Sequence, residues 1–219
     1  MQGMSRLAPY YLLGLLAYSS FSAGASSGIP SIVSVTGASS FGGGAAVAAG
    51  SWVEIYGTNF SSQTATWSNA DFNDGVAPTS LAGVTVSIGG LPAFLSYVSP
   101  TQINALLPSG LSLGSQPLTV QNANGISAPY AAKVQAIDPQ LWAPALFKIG
   151  GTQYAGAMLS DFSTYVLPTG AVPGLTSRSA MSGETVILYG IGFGPVTPNL
   201  LAGQIACAGS APRCRGTPR

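Results

Sequence analysis

The stretch SWVEIYGTNF, Ser51 to Phe60, returns in altered form as ETVILYGIGF, Glu184 to Phe193. An offset of 133 pairs Gly50 with Gly183, Val53 with Val186, Tyr56 with Tyr189, Gly57 with Gly190 and Phe60 with Phe193. In each copy a glycine leads into a run whose alternate residues, Val53 and Ile55 or Val186 and Leu188, point to one face of a strand and suit a core. Gly57 or Gly190 then permits a bend, after which Phe60 or Phe193 folds back to plug the end of that core. What the copies share is apolar side chains and glycine. The shared positions are therefore architectural, and they predict two units built alike.

Around these copies the chain is a series of short apolar or alternating runs separated by Gly, Pro, Asn and Ser, with no sustained helical period, which predicts an all-β protein. Before residue 138 the candidate strands are Ile32 to Val35, Trp52 to Gly57, Val84 to Ile88, Ala93 to Val98, Ile103 to Leu107, Leu118 to Gln121 and Ala131 to Ile137. That number and spacing match an immunoglobulin-like sandwich. Gly89-Gly90 and Asn124-Gly125 read as hairpin tips, and SPTQI, Ser99 to Ile103, as a single helical turn capped by Ser99. GGGAAVAAG lacks the Lys and Ser/Thr of a phosphate loop and reads as a flexible connection. Asp138-Pro139 and Ala143-Pro144 mark a domain junction, with Trp142 packed between the domains, and strands resume at Ala145 to Ile149 and Gln153 to Leu159.

Residues 1–25 read as a secretory signal peptide: Arg6 supplies the positive start, Leu7 to Ala17 the apolar stretch and Ala23-Gly24-Ala25 a small-residue cleavage site. The apolar run is about half the roughly 20 residues of a spanning helix, so no transmembrane anchor is expected. A first Ig-like domain is placed at 26–137, a second at 138–206, and a disordered tail at 207–219. Cys207 and Cys214, the two cysteines of the chain, fall in that tail, where a short disulfide loop and an incidental pair of thiols are both open readings.

Charged residues make up 6% of the chain and hydrophobic ones 47%. Ser, Thr, Asn, Gln and Gly must therefore wet most of the surface, and disorder is disfavoured. The formal net charge of +1 depends on the two ends. From Ser26 to Ile205 the bases Lys133, Lys148 and Arg178 face Glu54, Asp71, Asp74, Asp138, Asp161 and Glu184, a balance of −3. No basic stripe exists to release counterions from phosphates, so nucleic acid is not an expected partner.

The order Gly, alternating strand, Tyr-Gly, Phe resembles IPT/TIG-type immunoglobulin-like domains. ASSFGGGAAVAAGSWVEIYGTNFS, LAGVTVSIGGLPAFLSYVSPTQINALLP, DPQLWAPALFKI and SGETVILYGIGFGPVTPNLLAGQI are more specifically similar to an uncharacterised C-terminal domain family abundant in secreted proteins of Solibacter-like Acidobacteria. The resemblance implies tandem Ig-like sandwiches and supplies no catalytic residues. Members of that family continue past AGQI with further strands, so the second sandwich is expected to be incomplete.

Chemistry is sparse. The chain has no His, which removes His-dependent triads and most zinc sites. Neither lysine follows a serine at Ser-x-x-Lys spacing, and there is no Gly-x-Ser-x-Gly elbow. Glu54 reads as a solvent-facing strand residue, without the second carboxylate a glycosidase needs. Asp71, Asn73 and Asp74 form a weak calcium candidate, since hard cations take clustered oxygens; equally, Asx residues favour turns. Trp52 and Tyr56 fall on the strand face opposite Val53 and Ile55, and with Trp67 they offer a possible platform for sugar rings. The alternative is that these rings pack under a covering loop.

The sequence thus predicts an exported, non-catalytic Ig-like module at the cell surface, outside the cell or in the periplasm, needing no cofactor. Its role is spacing or adhesion, and its expected contacts are extracellular polysaccharide or neighbouring surface domains. The competing reading is a substrate-binding accessory region of a secreted hydrolase.

Overall fold

The computed structural model describes residues 28–38, 45–197 and 199–205. The leader at 1–25 and the tail with Cys207 and Cys214 lie outside the described residues. The protein is all-β, and its helical pieces among the described residues are two 3-10 turns, Asn69–Asp71 and Ala145–Phe147.

The first unit contains β1 (Ser31–Gly37), β2 (Ala46–Ala48), β3 (Trp52–Thr58), β4 (Ala65–Thr66), β5 (Ser80–Leu81) and β6 (Val84–Ile88). It continues with β7 (Leu91–Pro92), β8 (Phe94–Val98), β9 (Gln102–Leu106), β10 (Gly114–Asn122), β11 (Gly125–Ile126) and β12 (Tyr130–Gln135). One sheet runs β1-β3-β9-β8-β4 and the other β2-β12-β10-β6-β5, with β7 and β11 paired to β6 and β10. Period-two alternation aims Val53, Ile55, Ile103, Ala105 and Leu95 of the first sheet at Val84, Val86, Ile88, Leu118, Val120 and Val134 of the second. These side chains form one continuous core. Each fully buried Ile or Leu contributes about 1.5–3 kcal/mol relative to exposure. Phe60 closes one end of this core and is itself fully buried.

Local signals were realised with small displacements. Gly89 and Gly90, with φ of 56° and 81°, turn the β6–β7 hairpin, the backbone that glycine adopts without a Cβ clash. In the β10–β11 hairpin Asn122 pairs with Gly125, so the tip is Ala123-Asn124, one residue ahead of the expected Asn124-Gly125. Ser99 does cap, its Oγ accepting the N–H of Gln102 at 2.9 Å. The cap closes the connection between β8 and β9, and no helical turn forms there. The flexible connection expected at GGGAAVAAG is corrected in part: Ala46–Ala48 is a buried strand paired in parallel with β12.

The rest of the chain forms β13 (Gln140–Leu141), β14 (Lys148–Ile149), β15 (Thr152–Gln153), β16 (Ala157–Leu159), β17 (Tyr165–Val166), β18 (Ser177–Arg178), β19 (Val186–Leu188) and β20 (Gly190–Ile191). The largest sheet here runs β18-β17-β16-β19, while β13 pairs with β20 and β14 with β15. Phe147, Leu167 and Val172 form a small buried cluster in this part of the chain, with Ile149, Tyr154, Tyr165 and Leu175 packed against it. Trp142 was expected between the domains. Its ring instead meets Phe147 and Tyr189 edge-on, with centroids 5.8 and 6.2 Å away. The segment 199–205 returns to the first sandwich, where the N–H of Ala77 donates to Gly203 O at 2.8 Å and that of Ala202 to Ser109 Oγ at 2.8 Å.

Candidate functional site

The outer face of the first sheet collects the polar and aromatic side chains that alternation turns away from the core. Register makes Glu54 the neighbour of Asn104 and Tyr56 the neighbour of Gln102, while Trp52 stands opposite Leu106. Residues directly opposite in an antiparallel pair share a face. Trp52, Glu54 and Tyr56 therefore line up along β3 beside a parallel row from β9. The Gln102 amide donates to Asn104 Oδ1 at 2.8 Å, which orients both amides along the row.

Trp67 reaches this face from the segment after β4, where its N–H donates to Ser96 O of β8 at 3.0 Å. Its ring meets Trp52 in a T-shape with centroids 5.6 Å apart, and leans on Phe72 at 5.0 Å. All three rings are half-buried. The structure thus joins two of the three expected aromatics and adds Phe72. Tyr56 stands apart, about 13 Å along the strand from Trp52 at the usual rise per residue. No local pattern marks Phe72, Gln102 or Asn104 as members of this face, because their membership depends on the β3–β9 register and on the 3-10 turn.

Tyr56 donates its phenolic proton to Glu54 Oε2 at 2.6 Å. That bond, then partial burial and the nearby carboxylate charge, push the phenol up to about 12. Deprotonation would break the bond and set two anions side by side.

The acidic loop is organised as a turn. Asp71 accepts the N–H of Ser68 at 2.6 Å and its hydroxyl at 2.8 Å, a capping box around Asn69–Asp71. These bonds hold the Asp71 carboxyl below its ordinary range, the backbone one first. Asn73 and Val76 exchange backbone hydrogen bonds at 3.0 Å across Asp74-Gly75, whose φ angles of 50° and 76° define a two-residue hairpin turn. Among the described residues no three His, Cys, Asp or Glu side chains gather as metal ligands. A cleft of about 410 Å³ lies where the returning segment meets the first sandwich. Leu106, Leu111, Leu113, Val196 and Leu200 line it, with Ser109 as a hydroxyl on its wall.

Two antiparallel-rich sheets closed over one alternating core, with polar and aromatic residues outside, define an immunoglobulin-like β-sandwich. The IPT/TIG domain model matches residues 19–134, more than half of the 219-residue chain, and the protein belongs to the IPT/TIG domain family. No curated protein sequence matches the chain. Among solved structures, it is similar to an auxiliary nutrient binding protein from Bacteroides ovatus at 16% identity and a TM-score of 0.30, over 54% of this chain and 23% of that one. The gamma-CGTase of alkalophilic Bacillus clarkii aligns at 15% identity and a TM-score of 0.34, over 77% of this chain and 22% of that one. SGBP-B of the Bacteroides ovatus mixed-linkage glucan utilization locus, solved with a mixed-linkage heptasaccharide, aligns at 14% identity and a TM-score of 0.26, over 72% and 38% of the two chains. The chain spans well under half the length of each of these proteins. No helix among the described residues is long and apolar enough to cross a membrane.

Proposed function

We propose that this protein is an exported, non-catalytic Ig-like module that contacts neutral polysaccharide through the outer face of its first sheet. The observation that carries the reading is the placement of Trp52 and Trp67 at one end of that face and the Glu54, Tyr56, Gln102 and Asn104 polar row at the other. Sugars present apolar ring faces and equatorial hydroxyls, and a surface of indole beside amide and carboxylate oxygens matches both. Low charge lets such a face approach a neutral polymer without long-range repulsion. Export rests on the leader sequence, and kinship with the Solibacter-type family on the sequence stretches quoted above.

The test is affinity electrophoresis of the full chain in gels containing amylose, xylan or soluble cellulose derivatives, beside a Trp52→Ala, Trp67→Ala variant whose circular dichroism matches the parent. Retardation by at least one polymer, lost in the variant, is the expected result. Equal mobility in every gel would leave the rings as packing residues and the module as a spacer.

A further inference from the structure

Beyond the pairing of β3 with β9, the register of the first sheet places further polar side chains on its outer face. Thr36 stands opposite Glu54 across β1 and β3, and Glu54 opposite Asn104 across β3 and β9. Asn104 then stands opposite Tyr97 of β8, and Tyr97 opposite Thr66 of β4. Directly opposed residues share a face. The adjacent residues Val35, Ile55, Ile103 and Val98 are buried in the core, with Ala65 packed against it, so the polar set faces out. Thr36, Glu54, Asn104, Tyr97 and Thr66 therefore form one row that crosses every strand of the sheet. The spacings between its strands sum to about 19 Å. The two end threonines are exposed, and the three residues between them half-buried.

One step along the strands the chemistry changes. Trp52, Leu106 and Phe94 form the neighbouring row, and a bulge between Leu95 and Tyr97 keeps β8 in step with the others. Trp67 leans over this row to meet Trp52 edge-on. Phe94 is backed by the returning segment, since a Cβ on Gly203 would stand 2.4 Å from its ring. Aromatic rings thus flank a polar floor, about 7 Å from it along β3.

Each strand offers this floor one group: a hydroxyl from Thr36, Tyr97 and Thr66, a carboxylate from Glu54 and an amide from Asn104. Glu54 accepts the Tyr56 phenol at 2.6 Å, and a carboxylate has lone pairs for further donors. Asn104 Oδ1 holds the Gln102 amide, so the Asn104 NH2 is its group for a ligand. The spacing between strands is close to the advance per ring of an extended pyranose chain, so successive sugars meet successive strands in step. A chain coiled by axial linkages leaves that step within a turn. A polypeptide segment with apolar side chains would bury the same five groups without partners, which is costly. An anionic polymer is opposed by the carboxylate of Glu54.

We propose that this row is a track on which an extended, equatorially linked neutral glycan of the cellulose or xylan type lies across the strands, with the indole rings on one flank. The inference rests on the polysaccharide contact proposed above and adds to it the class of chain, its direction and the end residues Thr36 and Thr66.

The test is affinity electrophoresis of the full chain in gels containing hydroxyethylcellulose, xylan, amylose or polygalacturonate, beside Thr36→Val and Thr66→Val. Each variant keeps the β-branched shape and replaces only the hydroxyl by a methyl, and circular dichroism matching the parent confirms its fold. The expected result is retardation by hydroxyethylcellulose or xylan and not by amylose or polygalacturonate. Each variant weakens it by about threefold to tenfold, the scale of one lost hydrogen bond. Thr66 decides the direction, because β4 lies about 14 Å from β3, beyond the reach of a chain that runs along β3. Retardation that Trp52→Ala, Trp67→Ala abolishes and Thr66→Val leaves unchanged overturns the track while the polysaccharide contact stands. Equal retardation by amylose or polygalacturonate overturns the class of chain. No retardation in any gel overturns the track and the polysaccharide contact together.

Discussion

The ring of Phe60 stands 2.5 Å from the position a Cβ on Gly57 would occupy, and the carbonyl oxygen of Ser31 is closer still. Only glycine fits between them. A methyl there must displace a fully buried ring or a paired backbone. Gly57→Ala is expected to lower stability by about 2–3 kcal/mol, read from the urea midpoint with an unchanged slope. A change below about 0.5 kcal/mol would show that the ring moves freely.

Phe60 and Phe193 occupy matching places in the repeat and opposite environments. Phe60→Ala leaves a cavity in a close-packed core and is expected to cost about 3–5 kcal/mol. Phe193→Ala removes a largely exposed ring and is expected to stay within about 0.5 kcal/mol. Thermal unfolding of the two variants, side by side, distinguishes a position defined by sequence from one defined by cover.

Tyr56 is expected to titrate near 12 in ultraviolet difference spectra, against an ordinary value of 10.0. Glu54→Gln removes the anion and is expected to bring the titration down. The folded state holds this proton more tightly than the unfolded state does. The stabilisation is therefore complete below pH 10 and is lost as pH rises toward 12. Unchanged titration in Glu54→Gln would detach the shift from the hydrogen bond.

Arg178 grips Glu184 in a two-pronged pair, with Nη1 to Oε2 at 2.8 Å, and the N–H of Met181 adds a third bond at 2.6 Å. The guanidinium bonds come first in holding the carboxyl down at about 2, against an ordinary 4.5. Here the sign is reversed: the contribution is present above pH 4.5 and is lost as pH falls toward 2. In Arg178→Gln the Glu184 carbon resonance is expected to titrate back near the ordinary carboxylate range. A midpoint that stays low would assign the shift to the Met181 N–H.

Much of the first sandwich was legible because each strand carries its own alternation: Val84, Val86 and Ile88 announce a buried face without help from any neighbour. β2 was not legible, because Ala46-Val47-Ala48 has one β-branched residue in a run of alanine and glycine. It is a strand because β12 offers it an edge. The repeat was legible as local shape, down to each Phe folding back on its glycine. The burial of that shape was not, since Phe60 and Phe193 each follow a Tyr-Gly pair at the same spacing in sequence and meet different neighbours in space. Likewise alternation turned Trp52 and Tyr56 outward, while Phe72, Gln102 and Asn104 joined the face through pairings no local pattern encodes.

The parallel pairing of β2 with β12, Ala46 to Lys133 through Ala48 to Gln135, has a mechanical meaning. β2 lies near the start of the sandwich and β12 is its last strand. When two such strands are parallel, tension drawn through the chain that enters β2 and the chain that leaves β12 pulls them in opposite senses along their length. The bonds between them are then loaded together in shear, whereas an antiparallel closure would open one bond at a time like a zip. A domain closed in this way resists stretching along the line of β2 and β12.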